Sequence, residues 1–134
     1  MNTDSMNNMP YILVVDDESH IQHVVSLKLR NAGYQVETAA DGEEALHAIA
    51  ARVPSIVVTD LQMPYLDGIG LCRAMLDRPD TCDVPVIVLT ARGYALGAEA
   101  NELSNVCAVL SKPFSPRAIL EAVSAINGSK EQAA

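Results

Sequence analysis

Asp60 closes an apolar run, Ile56-Val57-Val58-Thr59, that reads as a buried strand. A carboxylate at the end of such a run is costly unless something receives its charge. Two more acids, Asp16 and Asp17, close Ile12-Leu13-Val14-Val15. Lys112 follows Val109-Leu110-Ser111, and Thr90 ends Val86-Ile87-Val88-Leu89. Parallel strands lie about 4.8 Å apart, so acids on two adjacent strand ends would converge within roughly 5 Å. Carboxylates that close repel each other, and at least one pKa rises. A hard divalent cation relieves the repulsion, and an all-oxygen set suits Mg²⁺ (or Mn²⁺). The trio reads as a magnesium site with open positions. Lys112 would come from a strand about 10 Å across the sheet, a distance its long stem can span. Thr90 would set a hydroxyl between them. A cation, a hydroxyl and an ammonium around one carboxylate make room for a tetrahedral dianion. The chemistry they suit is phosphoryl transfer to that carboxylate.

The elements that must hold these residues alternate along the chain. Tyr11 to Val15 is a short apolar strand. Ser19 can cap a helix whose inner face is Ile21, Val24, Val25, Lys28, Leu29 and Ala32. Gly33 suits the left-handed position that ends it. Tyr34 to Thr38 alternates as an edge strand does. Asp41 and Glu44 make a capping-box start, with Ala45, Leu46 and Ile49 facing in, and Pro54 ends that helix. The run to Thr59 is the most continuously apolar and so the most central. Asp67-Gly68 opens a third helix with Ile69, Cys72, Met75 and Leu76 inward, and Pro79 stops it. Pro85 opens the strand to Thr90. The fourth helix, 92–105, is the weakest, because Gly93 and Gly97 each cost about 1 kcal/mol relative to alanine. Val106 to Ser111 is the fifth strand. Ser115 caps a last helix that carries Pro116 at its first position and Ile119, Leu120, Val123 and Ile126 inside.

Five strands alternating with five helices predict an α/β fold, a doubly wound, five-stranded parallel sheet. Ligands in such folds bind at the carboxyl ends of the strands. Asp16, Asp17, Asp60, Thr90 and Lys112 all fall there. The expected organisation is a leader without structure over 1–10, one domain over 11–127 and a flexible tail over 128–134.

The chain has 134 residues, nine basic and seventeen acidic, with a formal charge of −8. That charge argues against direct nucleic-acid binding, which needs a basic face. No stretch approaches the roughly 18–20 apolar residues of a membrane span, and Met1 to Pro10 lacks the pattern of a signal peptide. Cys72, Cys82 and Cys107 have no ligand spacing and read as reduced thiols filling the core of a cytoplasmic protein. His20 and His23 read as exposed polar residues rather than a metal pair.

Five motifs occur in order: Val14-Val15-Asp16-Asp17-Glu18, Thr59-Asp60-Leu61-Gln62-Met63-Pro64, Asp67-Gly68, Leu89-Thr90-Ala91 and Ser111-Lys112-Pro113-Phe114. Over about residues 10–127 the chain resembles the receiver domain of two-component response regulators. The resemblance implies the flavodoxin-like strand order 2-1-3-4-5. It implies Asp60 as phosphoacceptor, with Asp17, Asp60 and the Gln62 main-chain carbonyl as metal ligands and Asp16 acting through water. Thr90, the Ala91 N–H and Lys112 would bind the phosphoryl oxygens, and the Lys112-Pro113 bond would be cis. The phosphoryl group would come from a sensor histidine kinase, a phosphotransfer protein or a small phosphodonor. Output would pass to a protein target through the fourth helix, fifth strand and fifth helix. The chain departs from the family in one respect. Receivers often carry Tyr or Phe three residues before the lysine, and Val109 stands there.

Two other functions compete. A phosphatase working through an aspartyl phosphate places a second Asp two residues after the nucleophile, where this chain has Gln62. A pure interaction module would not need the intact acids and lysine. The expectation is therefore a switch that catalyses its own modification, not an enzyme with a separate substrate.

Overall fold

The computed structural model describes residues 10–91 and 99–133. Residues 1–9 of the expected leader, and the part of the expected fourth helix that holds Arg92, Gly93, Tyr94 and Gly97, lie outside the described residues. Five β-strands form one parallel sheet: β1 (Tyr11–Val15), β2 (Gln35–Ala39), β3 (Ile56–Asp60), β4 (Val86–Thr90) and β5 (Val106–Ser111). Their order is β2-β1-β3-β4-β5, so β3 is central and β2 is an edge. Helices α1 (Ser19–Asn31), α2 (Gly42–Ala51), α3 (Gly68–Leu76) and α5 (Pro116–Ala133) join and cover the strands. Between β4 and β5 the helical residues 99–101 are named α4.

The strands are apolar because both faces of the sheet are covered. Every residue of β1, β3 and β4 is buried. Alternate residues along each strand feed two cores. Leu13, Val15, Val57, Val86 and Val88 pack with α2, α3 and Ala100 of α4. Ile12, Val14, Ile56, Val58, Ile87 and Leu89 pack with α1 and α5, through Val25, Leu29, Ile119 and Val123.

Local chemistry sets the helix ends. The Asp41 side chain accepts the Glu44 N–H at 2.8 Å, and Asp67 accepts the Gly70 N–H at 2.8 Å. Ser115 Oγ accepts the Ala118 N–H at 3.1 Å. Gly33 lies in the left-handed region at φ 103°, and Tyr34 N–H reaches back to the Leu29 carbonyl.

Four expectations change. Glu18, not Ser19, is the cap of α1, and it makes no side-chain cap bond. Ala32 is exposed beyond the end of α1, while Ser26 is buried in its place. Cys72 is the buried cysteine, Cys82 is half-buried, and Cys107 is exposed. Val86 pairs with Val106 but Ile87 pairs with Ala108, so Cys107 is the extra residue of a β-bulge, which turns its side chain outward. The last helix runs on to Ala133, past residue 127. Gly128 does not stop it, since one glycine costs only about 1 kcal/mol relative to alanine. No helix among the described residues is long and apolar enough to cross a membrane.

Candidate functional site

The sheet itself builds the site. Val15 pairs with Thr59, so the next residues on each strand, Asp16 and Asp60, emerge side by side. Asp16 N–H bonds to the Ala39 carbonyl at 3.0 Å, which carries the ladder one residue past β1. Leu61 N–H does the same to Leu89 at 2.9 Å. The two acids are thus held by backbone and are not free to swing with a loop. Gly68 fixes the loop after Asp60. Its N–H meets the Leu61 carbonyl at 2.9 Å, and any side chain there would run into the Asp60 carbonyl oxygen.

Carboxylate oxygens of Asp16, Asp17 and Asp60 lie within 4.8 Å of one another. Asp16 is fully buried and Asp60 nearly so, whereas Asp17 is exposed to solvent. Lys112 comes in from the end of β5. Its Nζ stands 3.4 Å from Asp60 Oδ2, 3.6 Å from Asp16 Oδ2 and 3.7 Å from Glu18 Oε1. The Lys112 N–H bonds to the Thr90 carbonyl at 2.7 Å, so the ends of β4 and β5 are tied together. Thr90 is buried, while Gln62 and Ala91 are exposed. The Lys112-Pro113 bond is cis.

The charges are under strain. Burial pushes Asp16 up to about 6; the Asp60 charge adds to this, and the Glu18 N–H and Lys112 oppose it. Burial also raises Asp60, held back by Lys112 and by the Gln62 main-chain N–H. Burial works against the Lys112 ammonium, but Asp16, Asp60 and Glu18 outweigh it and its pKa lies above the usual lysine value. Asp16 Oδ2 is buried and accepts no hydrogen bond. An oxygen in that state, beside two other carboxylates, fits a ligand of a divalent cation. The acid pocket could hold a metal ion.

Asp16, Asp17, Asp60 and Lys112 are brought together; Thr90, Gln62 and Ala91 stand on the same strand ends. Val109 is half-buried against the α2–α3 core. Sequence reasoning gave Glu18 no role, although it follows directly on two acids. Only its distance to a lysine 94 positions later shows that it belongs here.

Residues 12–124 match the response regulator receiver domain model. The chain belongs to the response regulator receiver domain family. This receiver domain is 38% identical over 131 residues to the alkaline phosphatase synthesis transcriptional regulatory protein PhoP of Bacillus subtilis, an alignment covering 92% of this chain and 50% of PhoP. It is 38% identical over 115 residues to the probable transcriptional regulator ycf27 of Guillardia theta, covering 86% of this chain and 44% of that protein. The receiver thus spans about half the length of these curated relatives. Among solved structures, the chemotaxis response regulator CheY4 of Vibrio cholerae matches at TM-score 0.82 and 31% identity, covering 89% of this chain and 99% of that one. A CheY-like receiver protein of Methanospirillum hungatei matches at TM-score 0.85 and 26% identity, covering 95% and 100%. Both the family and the strand order fit the resemblance read from the five motifs. Receivers are the switches of two-component systems, and control by phosphorylation is their general function. They pair with histidine kinases and in general do not turn over a separate substrate.

Proposed function

We infer that Asp60 is the phosphoacceptor of this receiver. The observation that carries the reading is the convergence of three carboxylates within 4.8 Å, with Lys112 ion-paired to the central one. Asp60 lies between its neighbours in a way the other acids do not. It ends the central strand, flanked by β1 with its acids and by β4 with Thr90.

In the transfer, an oxygen of the Asp60 carboxylate forms a bond to phosphorus. The bond between phosphorus and the donor breaks, and the donor (imidazole of a phosphohistidine, or acetate from acetyl phosphate) leaves with that electron pair. Lys112 and the Thr90 hydroxyl receive the phosphoryl oxygens, with the Ala91 N–H as a further donor. Asp16, Asp17, Asp60 and the Gln62 main-chain carbonyl would hold Mg²⁺ or Mn²⁺. When bound, such an ion neutralises charge on both the acids and the phosphoryl oxygens. The buried Asp16 Oδ2, which has Lys112 Nζ at 3.6 Å but accepts no hydrogen bond, supports this assignment.

The phosphodonor is a sensor histidine kinase or a phosphotransfer protein, acting in the cytoplasm; three free thiols agree with a reducing compartment. The target is a protein that reads the face of α4, β5 and α5. No residue of β5 is fully buried, which leaves that face open to a partner. The domain proper covers 11–127, preceded by the leader over 1–10; the last helix extends beyond it.

Incubation with acetyl phosphate and Mg²⁺, read by intact-protein mass, tests the assignment. The wild type should gain one phosphoryl group and Asp60→Asn none. Equal labelling of both, or of neither, would overturn it.

A further inference from the structure

Glu18 stands outside the acid cluster but is tied to it twice. The carboxylate oxygens close enough to share a cation are those of Asp16, Asp17 and Asp60. Glu18 instead donates its N–H to Asp16 Oδ1 at 2.9 Å, and its Oε1 pairs with the Lys112 ammonium at 3.7 Å. Lys112 Nζ returns to Asp16 Oδ2 at 3.6 Å. The three contacts close a ring through one buried acid. The backbone bond sets where the Glu18 side chain starts, and the ring fixes where the lysine ends. Burial divides the lysine's partners. Asp16 and Asp60 face the protein interior, while the Glu18 side chain is 63% exposed and faces solvent.

We propose that Glu18 is a positioning residue that holds Lys112 in its resting place and competes with the phosphoryl group for it. This deepens the phosphoacceptor reading of Asp60 and rests on it. A tetrahedral dianion must reach Asp60 from the solvent side, because the other side is the closed sheet. Glu18 holds the lysine from that same side. When Lys112 turns to the phosphoryl oxygens, the Glu18 contact is given up and two anions are left near each other. Glu18 therefore favours the resting state over the occupied one. It is not needed to bind the cation, and it touches no reacting atom. An exposed pair of this kind shifts an equilibrium constant by about two- to fivefold.

Reach separates this role from a general field effect. Glu18 Oε1 is already 3.7 Å from Nζ. Glu18→Asp keeps the charge but shortens the side chain by one methylene, so the contact is lost. Glu18→Gln keeps the shape and loses the charge.

The experiment uses BeF₃⁻, a tetrahedral stand-in for the phosphoryl group, titrated at saturating Mg²⁺ and followed by calorimetry. Mg²⁺ alone is titrated separately. Both variants should bind BeF₃⁻ about two- to fivefold more tightly than the wild type, with Mg²⁺ affinity changed less than about threefold. Unchanged BeF₃⁻ affinity in Glu18→Gln would overturn the proposal. So would a Glu18→Asp variant that behaves as wild type, since charge alone would then be at work. Loss of Mg²⁺ affinity by more than about tenfold would make Glu18 a metal ligand and overturn it as well. A wild type that binds no BeF₃⁻ would instead remove the phosphoacceptor reading itself.

Discussion

Replacing Lys112 with methionine leaves Asp16 and Asp60 buried with no cation beside them. In the wild type Nζ stands 3.6 Å from Asp16 and 3.4 Å from Asp60. At an effective dielectric constant of about 20, each contact is worth roughly 5 kcal/mol of bare attraction. The fold does not lose that much, because a carboxyl without a partner takes up a proton. The escape sets a limit that depends on pH. Asp16 moves from 3.8 unfolded to about 6 folded, chiefly through burial. The native state therefore binds the extra proton between those values, and stability falls by about 1.4 kcal/mol per pH unit as pH rises through them. Above the folded value the loss is complete, at roughly 3 kcal/mol. Without Lys112 the folded value climbs further, so the loss continues upward in pH. Through Asp16 alone, the variant should match the wild type at about pH 5 and fall at most roughly 3 kcal/mol below it at about pH 8. Asp60 adds to the gap in the same direction, since Lys112 holds its pKa down. Methionine keeps most of the lysine stem, which limits the packing change. Urea unfolding of both proteins across this range, without divalent cations, measures the gap. Saturating Mg²⁺ should narrow it by binding the native acids. A gap of constant size at every pH, untouched by Mg²⁺, would refute the reasoning and make Lys112 a packing residue.

Mg²⁺ binding should release a proton near pH 6, because the cation favours the ionised form of an Asp16 whose pKa lies at about 6. Calorimetry in two buffers of different ionisation heat reads the proton, and affinity should weaken as pH falls below that value. Gly68→Ala should destabilise by about 1–3 kcal/mol and impair labelling by acetyl phosphate, since its methyl would press on the Asp60 backbone; thermal unfolding and mass read the two effects. Tyr65 is 83% exposed and sits at φ 68°, where asparagine is at home, so Tyr65→Asn should raise stability by up to about 1 kcal/mol in urea unfolding. Asp41→Ala should cost about 1 kcal/mol by the same method, through loss of the 2.8 Å bond to Glu44 N–H.

Most of the fold was legible because apolar runs and caps are local signals. The strand ends at Val15, Asp60 and Thr90 and the caps at Asp41, Asp67 and Ser115 stand where the sequence puts them. The site was legible in its buried members for a related reason: a charge closing an apolar run is visible in one dimension. What stayed hidden depends on a second chain segment. The Glu18 ion pair needs Lys112 folded onto β1. Cys107 looks like one more apolar residue of its strand, and only the register against β4 reveals the bulge that exposes it. The cap of α1 differs because Glu18, whose N–H is taken by Asp16, is the cap residue and the helix begins at the serine itself.

The alternation of residues along each strand has one more consequence. Leu13 and Val15 belong to one core, Ile12 and Val14 to the other, with the sheet as a wall between them. Substitutions of well-separated residues on opposite sides fall in different clusters, so their energies should add. The α1–α5 side can then drift without disturbing the α2–α3 side. A lineage could thus change the partner met by one half of the molecule while the other half keeps its own, with the acid site at the rim of the wall inherited unaltered by both.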